Sequence, residues 1–91
     1  MIKSTVYKQN KAVIFRPERD EAILFNPDTC DIIVINSMGC FIWGLCNGKN
    51  SQIAVLDRML DEFDATAKMA EEDLSKFLSE LEKREFLERI K

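Results

Sequence analysis

The 91-residue chain contains no histidine. General acid–base catalysis therefore loses the side chain that most often carries it, and a cysteine nucleophile would lack its usual base. No GxSxG or HExxH motif is present, and the three glycines form no phosphate-cradling loop. The three cysteines, Cys30, Cys40 and Cys46, are odd in number and include no CxxC pair, so they are not a disulfide framework. Without histidine, a zinc site would need all three thiolates plus an acid. The simpler reading is three small hydrophobes, with no metal and no cofactor. Carboxylate pairs such as Glu71/Glu72 and Asp61/Glu62 are adjacent on expected helices and point apart, as solvated faces do. These absences exclude the common catalytic designs. No apolar run approaches the ~20 residues that span a bilayer, so no membrane partner is expected. The opening MIKSTVYKQNK lacks the apolar core of a secretory signal, which predicts a cytoplasmic protein.

What is present suits one small domain, with 46% hydrophobic and 32% charged residues. The net charge of −3 is uneven. Residues 1–50 carry six Lys/Arg and five Asp/Glu, giving +1; residues 51–91 carry seven and eleven, giving −4. An acidic C-terminal half would repel phosphate, which argues against nucleic acid.

Residues 1–11 are polar and mixed and read as a flexible arm with at most one extra strand, ahead of a single domain over residues 12–91. A first strand is predicted around residues 13–16, stopped by Pro17. A second runs from Glu21 to Phe25 and a third from Asp31 to Ile35. The turn NPDTC joins these two into an antiparallel hairpin, with Asn26 and Asp28 bonding back to local backbone. Asn36 or Ser37 caps a short helix over SMGCFIWGLC, and Gly48 suits a left-handed position past its end. Gly39 and Gly44 weaken that helix, for which close approach to the sheet is a reason. Ser51 caps a second helix to about Phe63, and Thr66 a third over residues 67–84 with Ala70, Leu74, Phe77, Leu78 and Leu81 on its apolar face. Phe86, Leu87 and Ile90 are expected to fold back on the core. Three strands then three helices predict an α+β fold, and the two consecutive helices suggest a helix-turn-helix.

One strand does not fit the usual alternation. Ile32, Ile33, Val34 and Ile35 are apolar on both faces. Either the domain covers both, with helices on one side and the N-terminal arm on the other, or the strand borders an apolar groove where a peptide docks as an added strand. Phe77 and Leu81 read as core, and Lys76 and Glu80 either as a solvated pair or as a groove's polar rim. Trp43 reads as core.

Taken together, AILFNPDTCDIIVIN, GCFIWGLCNGK and FDATAKMAEEDLSKFLSELEKREFLE resemble the PqqD family, also called precursor-peptide (RiPP) recognition elements. The likeness covers about residues 13–88. It rests on the turn Asn26-Pro27-Asp28, on Asn36 closing the third strand, and on Leu45-Cys46-Asn47-Gly48. Phe63 ends the second helix, and Asp73-Leu74, Phe77-Leu78 and Leu81 complete the pattern. The chain departs from it at Met38, where the family often has Thr or Ser, at Glu21 or Ala22, Cys30 and Glu85, where it often has glycine, and at Asn47, where it has Asp. The resemblance implies a winged-helix-like, three-stranded antiparallel sheet followed by three helices, with no activity of its own. It implies binding of a precursor's leader segment between the third strand, Asp31, Ile32, Ile33, Val34 and Ile35, and a helix wall of Asp73, Lys76, Phe77 and Glu80. A modifying enzyme, of the radical S-adenosylmethionine type or a peptidase, would then act on the tethered core.

Two rivals remain at the level of sequence. A winged-helix DNA binder needs a basic recognition helix, whereas the second helix offers only Arg58 amid Asp57, Asp61 and Glu62. A structural or inhibitory subunit would bind a folded enzyme instead of an extended peptide. Exposed strand edges also leave room for a homodimer.

Overall fold

The computed structural model describes residues 4–90, so residues 1–3 of the expected arm and Lys91 lie outside it. Three strands form one antiparallel sheet in the order β2-β3-β4: β2 (Ile14–Pro17), β3 (Glu21–Asn26) and β4 (Asp31–Asn36). They are the three predicted strands. Helices α1 (Ser37–Leu45), α2 (Gln52–Glu62) and α3 (Ala67–Lys83) follow. Each starts where a short polar side chain satisfies an orphan amide. Asn36 Oδ1 accepts from Gly39 N at 2.8 Å, Ser51 Oγ from Ala54 N at 3.2 Å, and Thr66 Oγ1 from Met69 N at 3.2 Å.

A second sheet, of order β5-β1-β6, was not anticipated: β1 (Val6–Gln9), β5 (Asn47–Ser51) and β6 (Leu87–Arg89). The arm expected to be flexible over residues 1–11 thus contains the central strand of a sheet. Its side chains alternate poorly, but its backbone is held on both sides, with Tyr7 opposite Arg89 and Val6 opposite Ser51. Gln9 also ties it to α1, its Nε2 donating to Trp43 O at 2.8 Å and its N to Cys46 O at 3.0 Å. Gly48 does take positive φ (84°), within β5 rather than in the helix cap.

The core lies between the first sheet and the helices. Leu24, Ile42, Met59, Leu74, Leu78, Leu81 and Phe86 are fully buried, each worth about 1.5–3 kcal/mol relative to exposure. Trp43 and Cys46 join them, and burial pushes the Cys46 thiol up to about 12, so it packs as a small hydrophobe. The other face of the sheet is bare. Register places Ile14 opposite Phe25 and Phe25 opposite Ile32, with Arg16, Ile23 and Val34 in the next row. Ile14, Ile32 and Val34 are 56%, 58% and 57% exposed. Because β1 joins the second sheet, this part of the N-terminal arm does not cover the face.

The C-terminus of α3 is fastened to the β3–β4 turn. Phe86 N donates to Leu81 O (2.8 Å) and Glu85 N to Glu82 O (3.1 Å), closing the helix with Glu85 in the left-handed region at φ 66°. The Glu85 carbonyl accepts from Asn26 Nδ2 at 2.8 Å and from Asn10 Nδ2 at 2.9 Å. Asn26 is wholly buried, and its Oδ1 accepts from Asp28 N at 3.0 Å, so both ends of the amide are used.

Of the two helical glycines, only Gly39 is needed for close approach. A Cβ there would lie 2.9 Å from Ile35 Cβ and 3.1 Å from Phe77 Cε1, whereas at Gly44 it would meet nothing within 4 Å. Gly39→Ala is expected to lower stability by about 1–3 kcal/mol through overpacking. Gly44→Ala is expected to raise it by up to about 1 kcal/mol. Denaturant unfolding followed by Trp43 fluorescence checks both, and a neutral Gly39→Ala contradicts the packing. Cys30 (φ 62°) and Glu85 (φ 66°) hold left-handed conformations with a Cβ. Cys30→Gly and Glu85→Gly are each expected to gain about 1 kcal/mol in the same assay.

Candidate functional site

No strand lies beyond β4 among the described residues, so its outer border is a sheet edge. The direction of its main-chain groups follows from Ile32. Ile32 N donates to Asp31 Oδ1 at 2.9 Å and Ile32 O accepts from Arg84 Nη2 at 3.2 Å, so both face away from β3. Main-chain groups alternate along a strand, so the N–H and C=O of Val34 face the same open border.

Beside this border runs a groove of about 750 Å³ lined by Ile33, Ser75, Lys76, Phe77, Ser79, Glu80 and Leu81. Its walls are β4 and one face of α3. Phe77, Leu81 and Ile33 make it apolar, while Lys76, Glu80 and the two serines supply a polar rim. Phe77 stays half-buried beside Gly39, so the glycine helps set the depth of the groove.

The sequence-predicted residues separate into groups. Ile33, Lys76, Phe77 and Glu80 come together in the groove. Ile35 is buried (4% exposed) and offers the site no side-chain surface. Ile32 and Val34 point their side chains to the opposite, bare face and meet the border through main chain alone. Asp73 is exposed on α3, one turn before Phe77, and does not line the groove. Asp31 sits at one end of the border. Glu80 pairs with Arg84 Nη1 at 3.6 Å, which leaves the Lys76 ammonium at the rim without an ion-pair partner among the described residues.

Sequence reasoning missed Arg84 as a member of this site. Its guanidinium makes a two-pronged bond to Asp31, Nε to Oδ2 and Nη2 to Oδ1, both at 2.7 Å. It also lies 5.7 Å from the centre of the Phe86 ring. The Arg84 hydrogen bond holds the Asp31 carboxyl below its ordinary range. Whatever the pair adds to stability is therefore complete above the unfolded carboxylate pKa and is lost as pH falls through the folded value. Fifty-three residues separate the partners, and no single-sequence signal links them. Among the described residues no three His, Cys, Asp or Glu side chains gather to hold a metal ion, and no helix is long and apolar enough to cross a membrane.

Comparison with known proteins agrees with this architecture. The solved structure of TbiB1 in complex with the TbiA(β) leader peptide matches with a TM-score of 0.79 at 27% identity, covering 89% of this chain and 94% of that one. The heterocyclase TruD matches with a TM-score of 0.66 at 15% identity; the likeness covers 94% of this chain but 12% of that chain, and it shows the fold alone. No curated relative matches the sequence. The family model for coenzyme PQQ synthesis protein D (PqqD) matches residues 21–87, well over half of the length, and the chain therefore belongs to the PqqD family.

Proposed function

We propose that this chain is a non-catalytic adaptor. It binds the leader segment of a ribosomally made precursor peptide along the β4 border and presents the precursor to a modifying enzyme. The observation that carries the reading is the meeting of an open strand edge with an apolar groove, in a chain whose structural neighbour was solved with a leader peptide. Strand addition uses these parts directly: main-chain bonds give affinity, and pockets for alternate side chains give specificity. Asp31, Ile32, Ile33, Val34 and Ile35 form the strand. Lys76, Phe77 and Glu80 form the wall, with Asp73 as an outlying charge one turn before Phe77.

The enzyme served is of the radical S-adenosylmethionine type or a peptidase, and the precursor reaches it in the cytoplasm, where ribosomes make it. The adaptor's contribution is effective concentration. A leader held on the enzyme makes the encounter with the core peptide intramolecular, at millimolar effective concentration for short linkers, without any chemistry by the adaptor.

The test is calorimetric titration with two probes: the TbiA(β) leader peptide and the leader of any short precursor encoded beside this chain's gene. Amide shifts are recorded in parallel. Val34 and the groove residues are expected to respond. A response confined to some other surface contradicts the site. Val34→Pro removes a border-facing N–H that the internal ladder does not use, so the fold should persist while affinity falls at least about tenfold. Lys76→Glu should weaken binding of an acidic leader, with a slower association rate at low salt.

A further inference from the structure

The Asp31–Arg84 pair does more than join a helix to a strand. It occupies the sheet border itself, because Asp31 Oδ1 takes the Ile32 N–H and Arg84 Nη2 takes the Ile32 carbonyl. We propose that this pair is a register stop, which ends strand addition at Val34 by keeping both border-facing groups of Ile32 occupied. The inference rests on the adaptor reading above and deepens it.

Main-chain pairing alone cannot fix where a peptide sits. A slip of two residues preserves every hydrogen bond and every side-chain facing, yet moves the chain by about 7 Å. Some feature must choose among these registers, and the Asp31–Arg84 pair is placed to do so. It stands at the end of the groove: Glu80 lines both the groove and a separate hollow formed by Thr29, Cys30, Asp31, Lys83, Arg84 and Glu85. Arg84 is held from several directions, by both Asp31 oxygens, by Glu80 and by the Phe86 ring.

The balance of bonds favours the stop. To pair with Ile32, a peptide would break the bond from Ile32 N to the Asp31 carboxylate (2.9 Å) and the bond from the Arg84 guanidinium to Ile32 O (3.2 Å), each with one charged partner, and gain two neutral ones. Charge-assisted bonds are roughly twice as strong as neutral ones. A strand added antiparallel to β4 runs with its C-terminal end toward Ile32, so the stop lies where the leader departs toward the core peptide. It thereby fixes how many residues separate the held segment from the enzyme. Asp31 and Arg84 act on the peptide by position and not by chemistry.

Hydrogen exchange and amide shifts on isotope-labelled protein test the proposal, with peptides from a random phage-display library and the TbiA(β) leader as probes. In the free protein the Ile32 amide should exchange about tenfold more slowly than Val34, because only Ile32 has an internal acceptor. On binding, Val34 should shift and become protected while Ile32 stays unchanged. In Arg84→Gln and Asp31→Asn the same peptides should also shift Ile32. A nitroxide on the peptide should then report a two-residue displacement. Asn26 still fastens α3 in both variants, and buried Trp43 reports that each is folded. If Ile32 shifts in the wild-type complex, or register is identical in the variants, the stop is wrong while strand addition stands. If no probe moves Val34, the strand-addition reading fails and the stop fails with it.

Discussion

Everything at the groove depends on how the end of α3 is fixed to the β3–β4 turn. The Asn26 amide, wholly buried, donates to the Glu85 carbonyl at 2.8 Å and accepts from Asp28, so one side chain shapes the turn and receives the helix terminus. A buried amide without partners costs about 1–3 kcal/mol, so this contact is strongly specified once formed. It sets the distance between α3 and β4, and the groove is what remains between them. At the opposite end Gly39 performs the complementary task. Its missing Cβ lets α1 approach Ile35 and gives Phe77 room beside it.

An open strand edge is a hazard for a small domain, since any extended chain can pair with it. The two edges of the first sheet are treated differently. β2 ends in Pro17, which has no N–H to offer, and Arg16 stands beside it. β4 is blunted only at Ile32, by Asp31 and Arg84, and stays open at Val34. Protection at one residue and openness two residues later is the pattern of an edge with a defined use.

Much of this was legible in the sequence, because the deciding signals were local. The hairpin, the three cap residues and the apolar face of α3 each rest on a few neighbouring side chains, and all of them hold; of the two turn residues, Asn26 bonds back to the local backbone as expected. Phe77, Lys76, Glu80 and Ile33 were placed together through family resemblance, and the geometry does bring them into one groove. The second sheet was not legible. Asn47–Ser51 reads NGKNS, with no residue that favours a strand, and it is extended only because β1 lies beside it. Arg84 was missed for the same physical reason. Its partner is 53 residues away, and long-range pairing leaves no periodic trace. Asp73 was carried over by pattern and falls outside the groove: four residues before Phe77 it shares roughly that face but stands about one turn further along the helix, before the lining begins at Ser75.

The doubly apolar strand can now be understood from its place at the border. Ile33 and Ile35 serve the groove and the core, while Ile32 and Val34 stand on a bare face beside Phe25 and Ile23. If a peptide strand joins β4, its side chains must alternate too. Those turned inward enter the groove beside Ile33 and Phe77. Those turned outward fall next to Val34, where a cross-strand pair of β-branched or aromatic residues contributes about 0.2–1 kcal/mol. A polar residue at Val34 would satisfy solvent in the free protein but forfeit that contact in the complex. On the adaptor reading, an added strand extends the sheet rather than covering its face, so the partner's outward side chains flank Val34 at the border while the rows over Ile14 and Phe25 stay open.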